Sequence, residues 1–580
     1  MTLIILPNRP LRLVEICNLS SDCHDSPLDC FMTQQVVDVK KTLPIYWLDI
    51  CKYYLLNYGE LTMRMKTLSL MVSAALISMT LPAVADQGIS TTTAPYVQAL
   101  VPGVKFTSIL TTGDSVAGYR MVGLPDGLGA YDNEDGTFTV LMNHELADPK
   151  GIVRAHGGKS SFVSEWVINK KNLEVLSGAD LIKNAYKQAT DGSWSLIPAV
   201  GVAGQTSSFS RFCSADLADK KAFFNKATRK GTKQRIFLNG EESAPTFQRG
   251  VAHVATGPDK GSSYVLPWTE TANGAWENLL ANPYSGDKTV VIGSADGGTE
   301  GIYVYVGDKS KVGNDVEKAG LIGGSVYRVA VAGNIAEDRS VNAGLGLTLN
   351  NRGNYEGNFS LVAGADTANA ASTKFLRPED GAWDTKNHNR FYFVTTDRMD
   401  AAKDGNINTD ITAGQVGRSR LWALTFVNSS KPELGGGIEL LLDGTSTKGD
   451  YQMFDNIAVN SDGSLTMLED VGGNQHNGKM WQFDPKTGSM VKIAGFDTNL
   501  FGDIGLVGEL TKDEETSGVI DITEILDRED DDKVYSLFVA QNHAKSLDPE
   551  LVEGGQLLLM TQTAPEHDDG DGHEDGKKRK

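Results

Sequence analysis

Between Asp86 and about Thr563, apolar runs of five or six residues, rich in β-branched and aromatic side chains, alternate with Asp-Gly, Asn-Gly and Gly-Gly pairs. Runs of that length, closed by residues that accept positive φ, predict strands joined by hairpins and hence an all-β protein. Three stretches depart from this rhythm and predict helices, at about 172–189, about 215–230 and, more briefly, about 521–527. Six segments share one order of turn, β run and polar or acidic ending: 135–145 (DGTFTVLMNHE), 232–242 (TKQRIFLNGEE), 287–296 (DKTVVIGSAD), 389–397 (NRFYFVTTD), 462–470 (DGSLTMLED) and 532–543 (DKVYSLFVAQNH). Six units of roughly 80 residues each predict a six-bladed β-propeller with helical and loop insertions, since an ordinary blade takes about 40 to 50. The same pattern recurs in all-β proteins without a channel, so the repeat alone leaves both architectures open.

The propeller has a chemical consequence. Strand ends that meet at one channel bring Glu145, Glu242, Asp296, Asp397 and Asp470 together. Clustered carboxylates raise one another's pKa and call for cations. Hard oxygen ligands suit calcium, and a thiolate among them suits a transition metal.

Residues 63–85 have a basic start, a short apolar run and an Ala-Val-Ala ending, the pattern of a secretory signal peptide. The expected organisation is therefore an extension over 1–62 upstream of the expected start, an export signal over 63–85, a propeller over 86–563, and a polar, disordered tail over 564–580. A periplasmic or extracellular protein follows, with no membrane segment in its mature form, and a monomer is expected. Four of the five cysteines lie before residue 63, leaving Cys213 alone in the mature part. A single thiol in an oxidising compartment is either buried and inert or coordinated to metal. Net charge is −20 and the N-terminal 85 residues are charge-neutral, so the exported part keeps the full acidity. That argues against nucleic acid or an anionic membrane as partner. An anionic substrate would need metal ions or focused arginines to hold it.

Two motifs fail on inspection. GNQHNGKM, residues 473–480, approaches a phosphate-binding loop but ends in Met480 and runs into a strand. DGNINTD, residues 404–410, spaces oxygens like the start of an EF-hand but lacks its sixth-position Gly and its closing Glu.

Several segments together resemble the PhoX-type alkaline phosphatases, a family of exported bacterial β-propeller phosphatases. They are Asn143-His144-Glu145, Cys213 in SRFCSADL, Asn239-Gly240-Glu241-Glu242, Trp276-Glu277-Asn278 and FLRPEDGAWD with Arg377 and Glu379, supported by Asp455-Asn456, Asp470 and Gln541 to His543. The resemblance implies a mixed site of ferric iron and calcium that hydrolyses phosphomonoesters. It implies Cys213, Glu145, Glu242, Glu277 and Glu379 as iron or calcium ligands, Asp470 as a calcium ligand and Arg377 as the phosphate clamp, with Asp296 and Asp397 added from the strand-end reasoning. Arg377, Cys213 and Glu379 would then act in catalysis. Ser214 is expected to cap a helix whose N-terminus favours the Cys213 thiolate. The surroundings of Cys213 and Glu242 differ from the family pattern, and no lysine stands where the family has one near the phosphate. A phosphodiesterase of the same fold, a calcium-stabilised binding propeller and a lactonase-like propeller are the alternatives.

Overall fold

The computed structural model describes residues 86–563, apart from 273, 298–299, 335, 338–344, 346, 352, 365–370, 398–418, 445–450, 473–476, 502–509 and 529–531. The chain divides into two units, 1–83 and 84–580, and every described residue lies in the second. The extension over 1–62, the export signal, the tail and the EF-hand-like loop therefore lie outside the described residues, as does part of the phosphate-loop-like segment.

The regular structure of the described residues is nearly all strand, arranged mostly in antiparallel meanders. Six strands form the sheet edges that matter for the site: β1 (Pro125–Asp132), β2 (Phe212–Asp216), β3 (Ala275–Ala281), β4 (Pro378–Trp383), β5 (Phe454–Val459) and β6 (Glu514–Asp521). Each packs against the next, and β6 packs back onto β1, so the six make a closed cycle. Their antiparallel partners are Thr137–His144, Ile236–Glu241, Lys288–Gly297, Arg390–Thr395, Leu465–Glu469 and Lys533–Asn542. These are the β runs of the six recurring segments, so the sequence repeat marks the second strand of each meander. Those strands are buried almost without interruption, because sheets cover both of their faces.

One ten-stranded sheet runs through nine strands from β3 to β4, with Thr348–Leu349 paired off that path, and folds back until these two edges lie side by side. Its halves enclose a core that includes Val290, Ile292, Phe391, Phe393 and Trp422. Comparable apolar clusters fill the gaps between the other neighbouring sheets, such as Trp276, Tyr303 and Leu266 on one side and Val140, Leu537 and Leu557 on another. Truncating one such aromatic to Ala costs about 3 to 5 kcal/mol. The sheet that holds β6 also takes in Val104–Thr111, which pairs antiparallel with Gly554–Thr563.

Two of the three expected helices are absent. Residues 172–189 form the strands Val175–Asp180 and Asn184–Gln188; the first extends the β1 meander and the second pairs in parallel with Ser262–Val265. Pairing across the sheet outweighs local propensity there. After β2 the stretch 215–230 contains only the 3-10 turn Lys220–Ala222, capped by Asp219, before a short hairpin of Phe224–Asn225 with Lys230–Gly231. The third expectation holds, as Thr523–Leu526 is helical. Among the described residues no helix is long and apolar enough to cross a membrane.

Candidate metal centre

Five of the six edge strands are irregular at one end, and the irregularity places the chemistry. On β1, Pro125 faces His144 and Leu128 faces Met142, so Asp126 and Gly127 together oppose Asn143 alone. In the same way Cys213 and Ser214 oppose Gly240, Glu379 and Asp380 oppose Val394, and Asp455 and Asn456 oppose Leu468. On β3, Glu277 is the extra residue between the paired Trp276 and Asn278. A β-bulge of this kind bends its strand and re-aims a side chain that regular pleating would send elsewhere. On β6 the bulge lies further along, at Gly518 and Val519, and Glu515 pairs regularly with Gln541.

The bulged residues come together. Donor atoms of Asp126, Glu145 and Cys213 lie within 4.8 Å of one another; so do those of Cys213, Glu242 and Glu277, and those of Glu277, Glu379 and Asp455. Cys213 and Glu277 are each shared between two groups, which therefore form a chain. Glu145 and Glu242 stand just beyond the second strands Thr137–His144 and Ile236–Glu241, so two tiers of the fold converge here.

Burial sets the electrostatics. It is the largest cause of the high pKa of Asp126, Glu277 and Glu379, and the neighbouring acids add to it. Burial followed by the charge of Asp470 brings Asp455 to about 8. Burial also pushes the Cys213 thiol up, helped by Asp126 and Glu277. Three cations stand against these acids. Arg211 Nη2 lies 2.7 Å from Glu145 Oε1 and 2.9 Å from Glu242 Oε2. Arg377 donates from Nε and Nη2 to Asp296 at 2.8 and 3.1 Å, and its Nη2 lies 2.9 Å from Glu379 Oε1. Burial alone would lower His543, but its hydrogen bond to Glu553 and nearby acids raise it to about 9. Arg377 also outweighs burial at Asp296 and leaves that carboxyl lowered.

Some ligand-like atoms are satisfied by protein and others are not. Gln541 Nε2 donates to Asp126 at 2.8 Å and to Glu145 at 3.3 Å, and Ser517 donates to Asp126. Ser214 Oγ donates to Glu277 Oε1 at 2.5 Å. Glu277 Oε2 and Glu515 Oε1 are buried without a hydrogen bond, whereas Glu379 Oε1 faces Arg377 Nη2 at 2.9 Å. A buried carboxylate oxygen left unbonded costs free energy that a cation would return, so the donor set of six carboxylates and one thiol fits metal.

The expected site residues sort as follows. Glu145, Cys213, Glu242, Glu277 and Glu379 meet in the chain of donor groups. Asp296 joins at its edge through Arg377 and a hydrogen bond with Glu242. Asp470 forms a β-bridge with Glu515 and adds its charge to Asp455. Asp397 belongs to none of the donor groups among the described residues. Its N–H bonds Leu376 O, and its charge acts on Glu337, the partner of Arg420. The chain turns left-handed at Asp397, with φ 70°, two residues past the strand end. The supposed helix cap is corrected as well: Ser214 lies inside β2, so no helix dipole reaches Cys213, and the thiol is raised rather than lowered.

Asp126 and Glu515 were missed, and Asp455 was noticed only as company for other motifs. A signal existed. Pro125-Asp126-Gly127, Phe212-Cys213-Ser214, Trp276-Glu277-Asn278, Pro378-Glu379-Asp380 and Phe454-Asp455-Asn456 all read as a bulky residue or proline, a ligand-type residue and a small or polar one. Arg211 and Gln541 carry no comparable mark.

No family model matches the chain, and no curated protein does. Among solved structures the chain is similar to Pseudomonas fluorescens PhoX in complex with vanadate, at 13% identity over 83% of this chain and 98% of that one, with a TM-score of 0.47. It is also similar to the NanB sialidase from Streptococcus pneumoniae, at 9% identity over 79% and 70%, TM-score 0.34. A fungal alcohol oxidase of the AA5 family in complex with copper matches at 10% identity over 76% of each chain, TM-score 0.30. With every TM-score below 0.5, none of these likenesses carries a residue role to this chain.

Proposed function

We propose that the chain is an exported, metal-dependent phosphatase that hydrolyses phosphomonoesters at the inner end of a six-bladed β-propeller. The closed cycle of β1 to β6 supports the architecture, with one recurring segment per edge strand. The observation that carries the function is the chain of three donor groups sharing Cys213 and Glu277, with buried oxygens left unpaired and Arg377 beside it. Asp126, Glu145, Cys213, Glu242, Glu277, Glu379 and Asp455 would hold the cations, with Glu515 and Asp470 at the calcium side. A thiol among hard oxygens suits ferric iron at the Cys213 end and calcium elsewhere. Bound cations would supply Lewis acidity at the phosphoryl oxygens.

The rest is the work of the chain. Arg377 is permanently charged and, with Nε and Nη2 engaged by Asp296 and Glu379, keeps Nη1 to donate to a phosphate oxygen and stabilise charge on the group being transferred. Asp296 and Glu379 hold that guanidinium in place from the other side. Gln541 fixes Asp126 and Glu145, and Ser214 fixes Glu277, so the ligands are oriented before any substrate arrives.

The test is elemental analysis of the mature protein beginning at Asp86, paired with a chromogenic phosphomonoester assay at alkaline pH. Iron with calcium, visible colour and turnover is the expected result. Calcium alone, in a colourless protein without turnover, would make it a binding propeller instead.

A further inference from the structure

Arg211 has no task in the chemistry so far, yet its surroundings are those of Arg377. Arg211 precedes Cys213 on β2 by two residues, and Arg377 precedes Glu379 on β4 by two residues. Both adopt left-handed backbone, with φ of 52° and 56°, which is uncommon away from glycine. Leu124 before Asp126 and Met453 before Asp455 share that conformation at the same offset, with φ of 50° and 53°. The four positions are therefore equivalent in the fold, and two of the four carry arginine. Those two strands flank β3, which contributes Glu277 between them.

The side chains also behave alike. Arg211 serves Glu145 and Glu242 through Nη2 alone, and among the described residues Nε and Nη1 have no protein partner. Its side chain is 44% exposed, whereas the two carboxylates it bridges are 8% and 9% exposed. Arg377 is 31% exposed and likewise turns one face to carboxylates. The two arginines act on a common pair of acids, since Arg211 feels Asp296 and Arg377 feels Glu242.

We propose that Arg211 is a second substrate-binding residue, the counterpart on β2 of Arg377 on β4, and that the pair grips a dianionic phosphoryl group from both sides of β3. This rests on the phosphatase function proposed above and narrows its substrate class. A phosphomonoester presents three non-bridging oxygens and two negative charges, enough to engage cations and two guanidinium groups together. A phosphodiester has two such oxygens and one charge, so the second arginine favours the monoester.

Inorganic phosphate is the probe, titrated calorimetrically into the metal-loaded mature protein, with metal content measured on every sample. Arg211→Ala should keep its metals, bind phosphate about 10- to 100-fold more weakly and lose part of its preference for monoester over diester in kcat/KM. Arg211→Lys should recover part of the phosphate affinity, because it keeps the charge without the fork. Wild-type affinity in Arg211→Ala with metals retained would overturn the inference and leave the phosphatase standing. Loss of metal from Arg211→Ala would overturn it as well, making Arg211 a positioning residue for Glu145 and Glu242. No phosphate binding by the wild type would overturn the phosphatase function, and this inference with it.

Discussion

Glu379 and Asp380 are neighbours in one bulge and both are buried, yet they live in opposite chemical worlds. Asp380 accepts from Asn278 Nδ2 and Gly381 N at 2.7 Å each and from Ile457 N at 3.2 Å, so both of its oxygens are bonded. Glu379 lies among other acids and is met by the Arg377 guanidinium, 2.9 Å from its Oε1. The contrast extends around the cycle of edge strands. The first residues of the bulges are Asp126, Cys213, Glu379 and Asp455, joined by Glu277, and they repel one another. Behind them Ser214, Asn278, Asp380 and Asn456 bond to each other and to backbone: Ser214 reaches Asn456, and Asn456 accepts from Gly518 N at 2.8 Å. Gly127 completes this second layer because a Cβ there would stand 2.4 Å from Ala215 N. Residue type does not distinguish a structural acid from a ligand; the company of other acids does, since Asp126 is bonded at both oxygens as Asp380 is, yet stands against Glu145 and Asp455.

Three variants can break or sharpen that contrast. Cys213→Ser strikes the first layer where two donor groups join. Metal content should fall and phosphomonoester kcat/KM should drop on the order of a thousandfold, the equivalent of several kcal/mol of lost charge stabilisation. Far-UV circular dichroism should stay unchanged, because the second layer is intact; full activity with full metal content would refute the first layer as a metal centre.

Asp216 lies deeper, in the wall of a cavity of about 600 Å³ at the other end of the edge strands, and is bonded through one oxygen by Ala281 N. Burial raises it from 3.8 to about 7. A carboxyl whose folded pKa is raised contributes stability that is fully present below its unfolded pKa and lost as pH rises through the folded value. The loss runs from about pH 4 to pH 7 and amounts to about 4 kcal/mol at most. Asp216→Asn removes the titration, so urea unfolding should show the variant gaining on the wild type between pH 4 and pH 8. An equal difference at both pH values would show that Asp216 ionises without penalty.

The smallest effect is expected from Asn278→Ala, which takes one donor from Asp380. Stability should fall by about 1 to 3 kcal/mol while metal content and phosphate affinity hold, as measured by denaturation and calorimetry. Loss of metal with that variant would mean that the two layers are not separable.

The periodicity of the chain made the second strands legible, since 135–145 and its five counterparts are long, apolar and closed by turns. The edge strands escaped notice because Pro, Gly, Asp and Asn interrupt their apolar runs at the bulges and read as turns. Asp126 in Pro-Asp-Gly is the plainest case: the tripeptide has turn chemistry, and only the pairing of His144 with Pro125 turns it into a bulge. Asp397 failed in the opposite direction. It ends a recurring segment as Glu145 and Glu242 do, but a left-handed residue redirects the chain there, and that conformation has no signature in Thr396-Asp397-Arg398. Arg211 was invisible because its value depends on equivalence with Arg377 across two strands far apart in sequence.

The pairing of Val104–Thr111 with Gly554–Thr563 sets the order in which the molecule can be assembled. The Thr112 hydroxyl bonds to Gly555 O across 443 residues, so a chain made from its N-terminus keeps Val104–Thr111 waiting until Gly554–Thr563 has been made. Closing so long a loop carries an entropic cost that only the completed sheet can offset, which makes it a late step in folding. Asp126 on the first edge strand and Glu515 on the last come together only then. Competence to hold cations therefore waits for Glu514–Asp521 and Gly554–Thr563, and a product shortened before them would carry most of the acids of the centre with no means of gathering them.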